Sequence, residues 1–384
     1  MTHRQCSNCV LDTHDDPTLE FDERGVCNHC NHYFEHTSKS ILPPEVAEKE
    51  LKVTLDRIKE QGKGKPYDCV VGVSGGVDST YVAYLAKKWG LRPLVVHLDN
   101  AWNSELAVKN IESIVSKLGF DLFTYVIDWE EFKDLQLSYF KANVIDIEVL
   151  SDHAITACLY DQAKKHGIKT IFSGNNAATE GILPGVWVHR KLDWLNIEAI
   201  HKKYGTVPLK TFPKHTYWDA MMHKFVHKTN IFYPLNYIHY NKAEVKQFII
   251  KELGWRDYGG KHYESVFTRF YQSHILPEKF GIDKRKAHLA TLICSGQMTK
   301  AEALEELKEP IINADLLKQD KEYTLKKLGF TPESFEAYLR TPPVPHMAFP
   351  SYENHHWKRS MAFFSTLSKI KRMLLGRGSK AQAA

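Results

Sequence analysis

The chain has 384 residues, of which 43% are apolar, with a formal net charge of +5 and seven cysteines. That length allows two or three domains with sizeable cores. No apolar run reaches the roughly 18 residues that a membrane span needs, and the Met1–Cys6 stretch lacks the apolar segment of a signal peptide. A cytoplasmic protein is therefore expected. The positive charge is local. Lys358, Arg359, Lys369, Lys371, Arg372, Arg377 and Lys380 fall within residues 355–384, which hold no acid, so the rest of the chain stands at about −2. This excludes a nucleic-acid binder that uses the body of the protein.

Residues 1–43 read as a metal module. Cys6-x2-Cys9 and Cys27-x2-Cys30 are separated by seventeen residues, the spacing of a four-thiolate structural zinc site. Four thiolates close a tetrahedral shell around Zn²⁺, and so short a segment would draw its folding energy from the metal. A Cys₄ set also suits an iron–sulfur cluster. His14, His29, His32 and His36 then stay outside the shell. Seven acids and two arginines in residues 1–36 argue against an RNA-binding ribbon. Residues 44–66 supply a linker helix.

Residues 67–235 alternate between strand and helix patterns. Apolar strands are expected at Cys69–Val73, Pro93–Leu98, Leu122–Ile127 and Thr170–Phe172, with helices near 80–86, 104–118 and 153–166. That alternation implies an α/β fold with a parallel twisted sheet covered on both faces. Ligands then bind beyond the strand carboxyl ends. Ser74-Gly75-Gly76-Val77-Asp78-Ser79, Asp99-Asn100 and Ser173-Gly174-Asn175-Asn176 all fall there. Glycines and hydroxyls between a strand and a helix start form an anion cradle of backbone N–H groups. Asp78 would repel a bare phosphate and fits better beside a metal or as a helix cap. The segment is neither Walker A nor Gly-x-Gly-x-x-Gly.

Residues 236–340 read as a helical substrate or partner domain, with helix starts at Asn241-x-x-Glu244 and Thr299-x-x-Glu302. Residues 341–384 form a basic tail. Phe363, Phe364, Leu367, Ile370 and Leu374 recur there at helical spacing, which suits an amphipathic helix packed on the protein or lying on a membrane surface. Cys69 and Cys158 read as core residues, and Cys294 as packed or reactive.

The six residues 74–79 resemble the loop of the PP-loop ATP pyrophosphatases, of HUP-like fold, which split ATP into AMP and pyrophosphate. Longer runs are more specific. Cys6–Val10, Phe21–Cys27, Tyr233-Pro-Leu-Asn-Tyr237, Leu253–Ser265, Phe267–Gln272 and Gly281–His288 resemble the N-acetyl sugar amidotransferase family over about residues 4–310. That resemblance implies conversion of the acetamido group of a nucleotide-activated sugar, such as a UDP-diacetamido uronic acid, to an acetamidino group. The products serve lipopolysaccharide O-antigen or flagellin glycans.

The resemblance further implies ATP and Mg²⁺ at Ser74, Gly75, Gly76, Val77, Asp78 and Ser79. Asp99, Gly174 and Asn175 would face the nucleotide, Glu180 would lie near the metal or the ammonia, and Lys261, His262, Glu264 and Arg269 would face the sugar. Ser74, Asp78, Ser79, Lys284 and Arg285 would act on the departing pyrophosphate. No N-terminal cysteine or Gly-x-Cys-x-Gly elbow supplies a glutaminase. Ammonia would come from a partner resembling the glutaminase of imidazole glycerol phosphate synthase, together with its barrel subunit. The alternatives are a PP-loop tRNA thiolase and a non-catalytic nucleotide-binding scaffold.

Overall fold

The computed structural model describes residues 3–260 and 263–354. The basic tail beyond Asn354, Lys261 and His262 lie outside the described residues. Five parallel strands are ordered β3-β2-β1-β4-β5. They are β1 Cys69–Gly72, β2 Pro93–Asp99, β3 Asp121–Val126, β4 Thr170–Phe172 and β5 Asn230–Phe232. β1 is central and its first three residues are buried. Side chains alternate along it. Val70, Leu94 and Ile171 join one core, whereas Cys69, Val71, Val95 and Phe172 join the core on the opposite face. This period of two, buried on both sides, is the physical reason β1, β2 and β4 read as continuous apolar runs, whereas β3 at the other sheet edge is exposed or half-buried throughout.

β5 escaped the sequence reading. It spans three residues, two of them exposed, and sits at the sheet edge, so it carries no long apolar run. The helix after β1 starts at Val77, earlier than its apolar pattern shows, and Gly76 is its N-cap. Asp78 and Ser79 therefore sit in its first turn. Beyond residue 236 the described chain is helical, with a complete capping box at Thr299 and Glu302. Asn241 caps its helix through the N–H groups of Ala243 and Glu244. Among the described residues no helix is long and apolar enough to cross a membrane.

The N-terminal module is joined to the body by polar contacts. Lys286 Nζ lies 3.0 Å from Asp12 Oδ2 and 2.8 Å from Asp15 Oδ2. Burial works against the Asp12 charge, but the Lys286 ammonium overrides it and holds that carboxyl down at about 2. Trp187 Nε1 donates to the Asp15 carbonyl at 2.7 Å, and Lys300 Nζ to the Cys6 carbonyl at 2.6 Å.

Five histidines, His97, His153, His215, His223 and His346, are buried. Burial holds each below its ordinary value, with His153 and His223 at about 4 and His346 at about 3. Below pH ~6.5 the unfolded chain takes up protons that the folded chain refuses. Stability should hold above that pH and fall as pH drops from ~6.5 toward ~4, by up to about 1.4 kcal/mol per pH unit for each of His153, His223 and His346, with His97 and His215 acting in the same direction. Urea midpoints measured across this range test the slope. A flat profile would mean these rings are protonated in the fold.

Candidate active site

The loop after β1 is shaped by short local bonds. Ser74 N donates to Ser79 Oγ at 3.3 Å, Gly76 N to Ser74 Oγ at 3.3 Å, and Ser79 Oγ to the Gly76 carbonyl at 3.2 Å. Gly75 has φ +83°, and a Cβ there would stand 2.8 Å from the Ala107 carbonyl oxygen. Trp255 Nε1, buried, donates to the Gly75 carbonyl at 2.7 Å. Gly174, after β4, would place a Cβ 3.1 Å from Ser79 N, so this second turn abuts the helix start. Above Gly76 lie the Tyr258 hydroxyl and Glu264 Oε1, 3.4 and 3.5 Å from where its Cβ would be.

Glycine at 75 is thus demanded by backbone, whereas a Cβ at 76 would meet only the polar side-chain ends that line the loop, Ser74 Oγ at 3.2 Å nearest. Gly75→Ala is expected to cost about 1–3 kcal/mol of stability through the left-handed backbone and the carbonyl clash. Gly76→Ala should keep most stability and lose ATP affinity. Thermal melts with and without Mg-ATP separate the two. Equal ligand-induced shifts for Gly76→Ala and wild type would contradict the cradle.

Asp78 does not cap its own helix. Its carboxylate accepts from the Tyr240 hydroxyl at Oδ1 and pairs with Lys242 Nζ at Oδ2, 2.9 Å away. Burial alone would discharge Lys242, but Asp78, Glu180 and Glu264 raise its basicity and keep it charged. Burial and the carboxylates Asp78 and Glu264 push the Tyr258 phenol up, and burial with Asp78 does the same to Tyr240. Both phenols therefore remain donors at neutral pH. Among the described residues, Lys242 is thus an ammonium held by the carboxylates Asp78, Glu180 and Glu264. Mg²⁺ takes oxygen ligands and keeps waters and phosphates in its shell; Asp78, Glu180 and Glu264 fit that donor chemistry.

The loop after β2 completes the rim. Asp99 Oδ1 accepts from Ala101 N at 2.9 Å and from Asn103 Nδ2 at 3.3 Å. Asn103 Nδ2 also donates to His97 Nε2 at 3.1 Å, leaving His97 Nδ1–H to donate to the Val73 carbonyl at 3.0 Å. Asn103 forms an antiparallel bridge with Ser265, and Ser104 N donates to the Glu264 carbonyl at 2.8 Å. The segment carrying Glu264 is thereby fastened to the ends of the strands.

The other sequence candidates take separate positions. Asn175 N donates to Ser173 Oγ at 3.2 Å, and Asn176 caps the short helix Ala177–Glu180. Arg269 forms a two-point pair with Asp320 at 2.6 and 2.7 Å, with both side chains largely buried. Lys284 pairs with Glu148 at 3.2 Å. Arg285 pairs with Asp283 at 2.8 Å and donates to the Glu309 carbonyl at 2.8 Å. Lys242, which the sequence reading missed, is instead the cation set against Asp78. Tyr240, Trp255 and Tyr258 were missed too, although Trp255 and Tyr258 lie inside the family-like run 253–265.

At the N-terminus, Cys6, Cys9, Cys27 and Cys30 are fully buried and their sulfurs lie within 4.8 Å of one another. Cys6 and Cys30 are 3.9 Å apart, and Cys9 and Cys27 3.8 Å. A tetrahedron with Zn–S bonds of about 2.3 Å has edges of about 3.8 Å, so the four thiols fit zinc.

A family profile described as NAD synthase matches residues 48–182, and one described as LPS biosynthesis protein WbpG-like, C-terminal domain, matches residues 264–363. The first spans the loop, the four strands β1 to β4 and the short helix Ala177–Glu180, and supports an enzyme of the NAD synthetase and PP-loop class, a family that implies ATP and Mg²⁺. Together the two matches support the WbpG-like PP-loop family for this chain. Among solved structures it is similar to an NMN synthetase from Francisella tularensis, at 16% identity and TM-score 0.37, covering 76% of this chain and 98% of that one. It is also similar to an NH3-dependent NAD synthetase from Campylobacter jejuni, at 12% identity and TM-score 0.33, covering 74% and 97%. No curated protein matches.

Proposed function

We propose that this enzyme is an ATP-dependent amidotransferase that converts an acetamido group of a nucleotide-activated sugar to an acetamidino group, releasing AMP and pyrophosphate. The observation that carries the reading is the joining, in one chain, of a PP-loop cradle to a WbpG-like C-terminal domain whose Glu264 overhangs that cradle. An amide is a poor electrophile, and adenylating its oxygen turns that oxygen into a good leaving group. The amide oxygen attacks the α-phosphate, and ammonia then displaces AMP from the imidoyl carbon. Negative charge grows on the departing pyrophosphate, where preorganised donors count most. Backbone N–H groups at Gly75–Ser79, the Ser74 and Ser79 hydroxyls and Lys242 supply them. Asp78, Glu180 and Glu264 offer oxygen donors that would hold Mg²⁺, which would supply further charge neutralisation. Ammonia is drawn from a separate glutaminase subunit with a barrel subunit, and the product enters lipopolysaccharide or flagellin glycan synthesis in the cytoplasm.

The test is mass spectrometry of a UDP-diacetamido sugar incubated with the protein, ATP and ammonium. The expected product is about 1 Da lighter, because NH replaces O. ATP consumption triggered by tRNA and not by any such sugar would overturn the reading in favour of a tRNA-modifying enzyme.

A further inference from the structure

The sequence left Cys294 without a role; the fold brings it to the four-thiol cluster. Cys294 ends the helix Arg285–Cys294, and its Sγ donates toward Cys30 Sγ at 3.5 Å. Asn8 Nδ2 donates to both sulfurs, at 3.4 Å to Cys294 and 3.5 Å to Cys30. The separation is shorter than the 3.8 and 3.9 Å edges of the metal set. Cys294 is also partly exposed, whereas the other four cysteines are fully buried. The cluster thus carries a fifth thiol outside the tetrahedron, on a partly exposed residue and next to one ligand.

We propose that Cys30 and Cys294 form an oxidation site, a disulfide made at the expense of the metal centre when the protein meets a hydroperoxide. Cys294 thiol reduces hydrogen peroxide, giving a sulfenic acid and one water. The Cys30 thiolate attacks the Cys294 sulfur, the S–O bond breaks, and hydroxide leaves and takes a proton as the second water. One peroxide is reduced by two electrons, one supplied by each sulfur. Three thiolates then remain for zinc, which no longer has a closed shell.

The new bond ties the N-terminal module to a helix whose His288 Nδ1 contacts the Thr179 carbonyl at 3.0 Å and whose Thr291 hydroxyl accepts from Ile182 N at 3.0 Å. That contact reaches the segment following β4 and so the nucleotide side of the sheet.

Zinc-loaded full-length protein is treated with hydrogen peroxide, alkylated, digested and mapped by mass spectrometry, while a chromogenic chelator follows zinc release. A peptide linking Cys30 to Cys294 is expected, with zinc release several-fold slower in Cys294→Ser and restoration by dithiothreitol plus zinc. Equal release from wild type and Cys294→Ser, or Cys294 carried to sulfinic acid with no linked peptide, would overturn the proposal. If Cys294→Ser fails to retain zinc before treatment, the wild-type peptide map alone decides.

Discussion

Asp78→Asn is expected to lower AMP formation by about 10²–10³-fold, the scale seen when one preorganised charge-stabilising group is removed from an active site. The substitution keeps the shape of the side chain and an acceptor for the Tyr240 hydroxyl. It removes the charge that would hold Mg²⁺ and that pairs with Lys242 at 2.9 Å. Lys242 still faces Glu180 and Glu264, so the stability loss should stay within about 1–3 kcal/mol. Chromatographic measurement of AMP, together with a melting curve, separates the two effects. Turnover like wild type in a folded Asp78→Asn protein would remove Asp78 from the site.

Cys27→Ser should abolish binding of one zinc per chain and unfold residues 3–36. In zinc-finger peptides the metal contributes about 10–16 kcal/mol of apparent binding free energy, far more than so small a segment gains from its own core. The loss would spread, because Lys286 would lose Asp12 and Asp15, and Trp187 would lose the Asp15 carbonyl. Elemental analysis, limited proteolysis and a melting curve should change together: no zinc, early cleavage in the first 36 residues, and a lower midpoint for the body. A brown, iron-containing wild-type protein would contradict the zinc assignment, and unchanged melting in Cys27→Ser would contradict the coupling.

What could be read from the sequence was local. Strand β1, the glycine-hydroxyl turn and the helix behind it lie within twenty residues, and the burial of β1 on both faces writes itself as an apolar run. The two Cys-x-x-Cys pairs were equally legible, because the ligand spacing is set by the metal. The partners of Asp78 were not legible. Tyr240 and Lys242 approach it from more than 160 residues away, on the far side of β5, a strand too short to announce itself. Trp255 reaches Gly75 across 180 residues, and Cys294 reaches Cys30 across 264. Arg269 and Arg285 looked like ligands for anions because unpaired arginines often are. The fold gives each a carboxylate, Asp320 and Asp283, that no spacing rule could assign.

In the proposed reaction the amide oxygen becomes an oxygen of AMP. A UDP-diacetamido sugar carrying a heavy-oxygen label in its acetamido carbonyl, turned over with ATP and ammonium, tests this in one mass spectrum. The label should appear in AMP, with none in pyrophosphate and none left in the amidino group. Unlabelled AMP, or formation of ADP and phosphate instead, would contradict it.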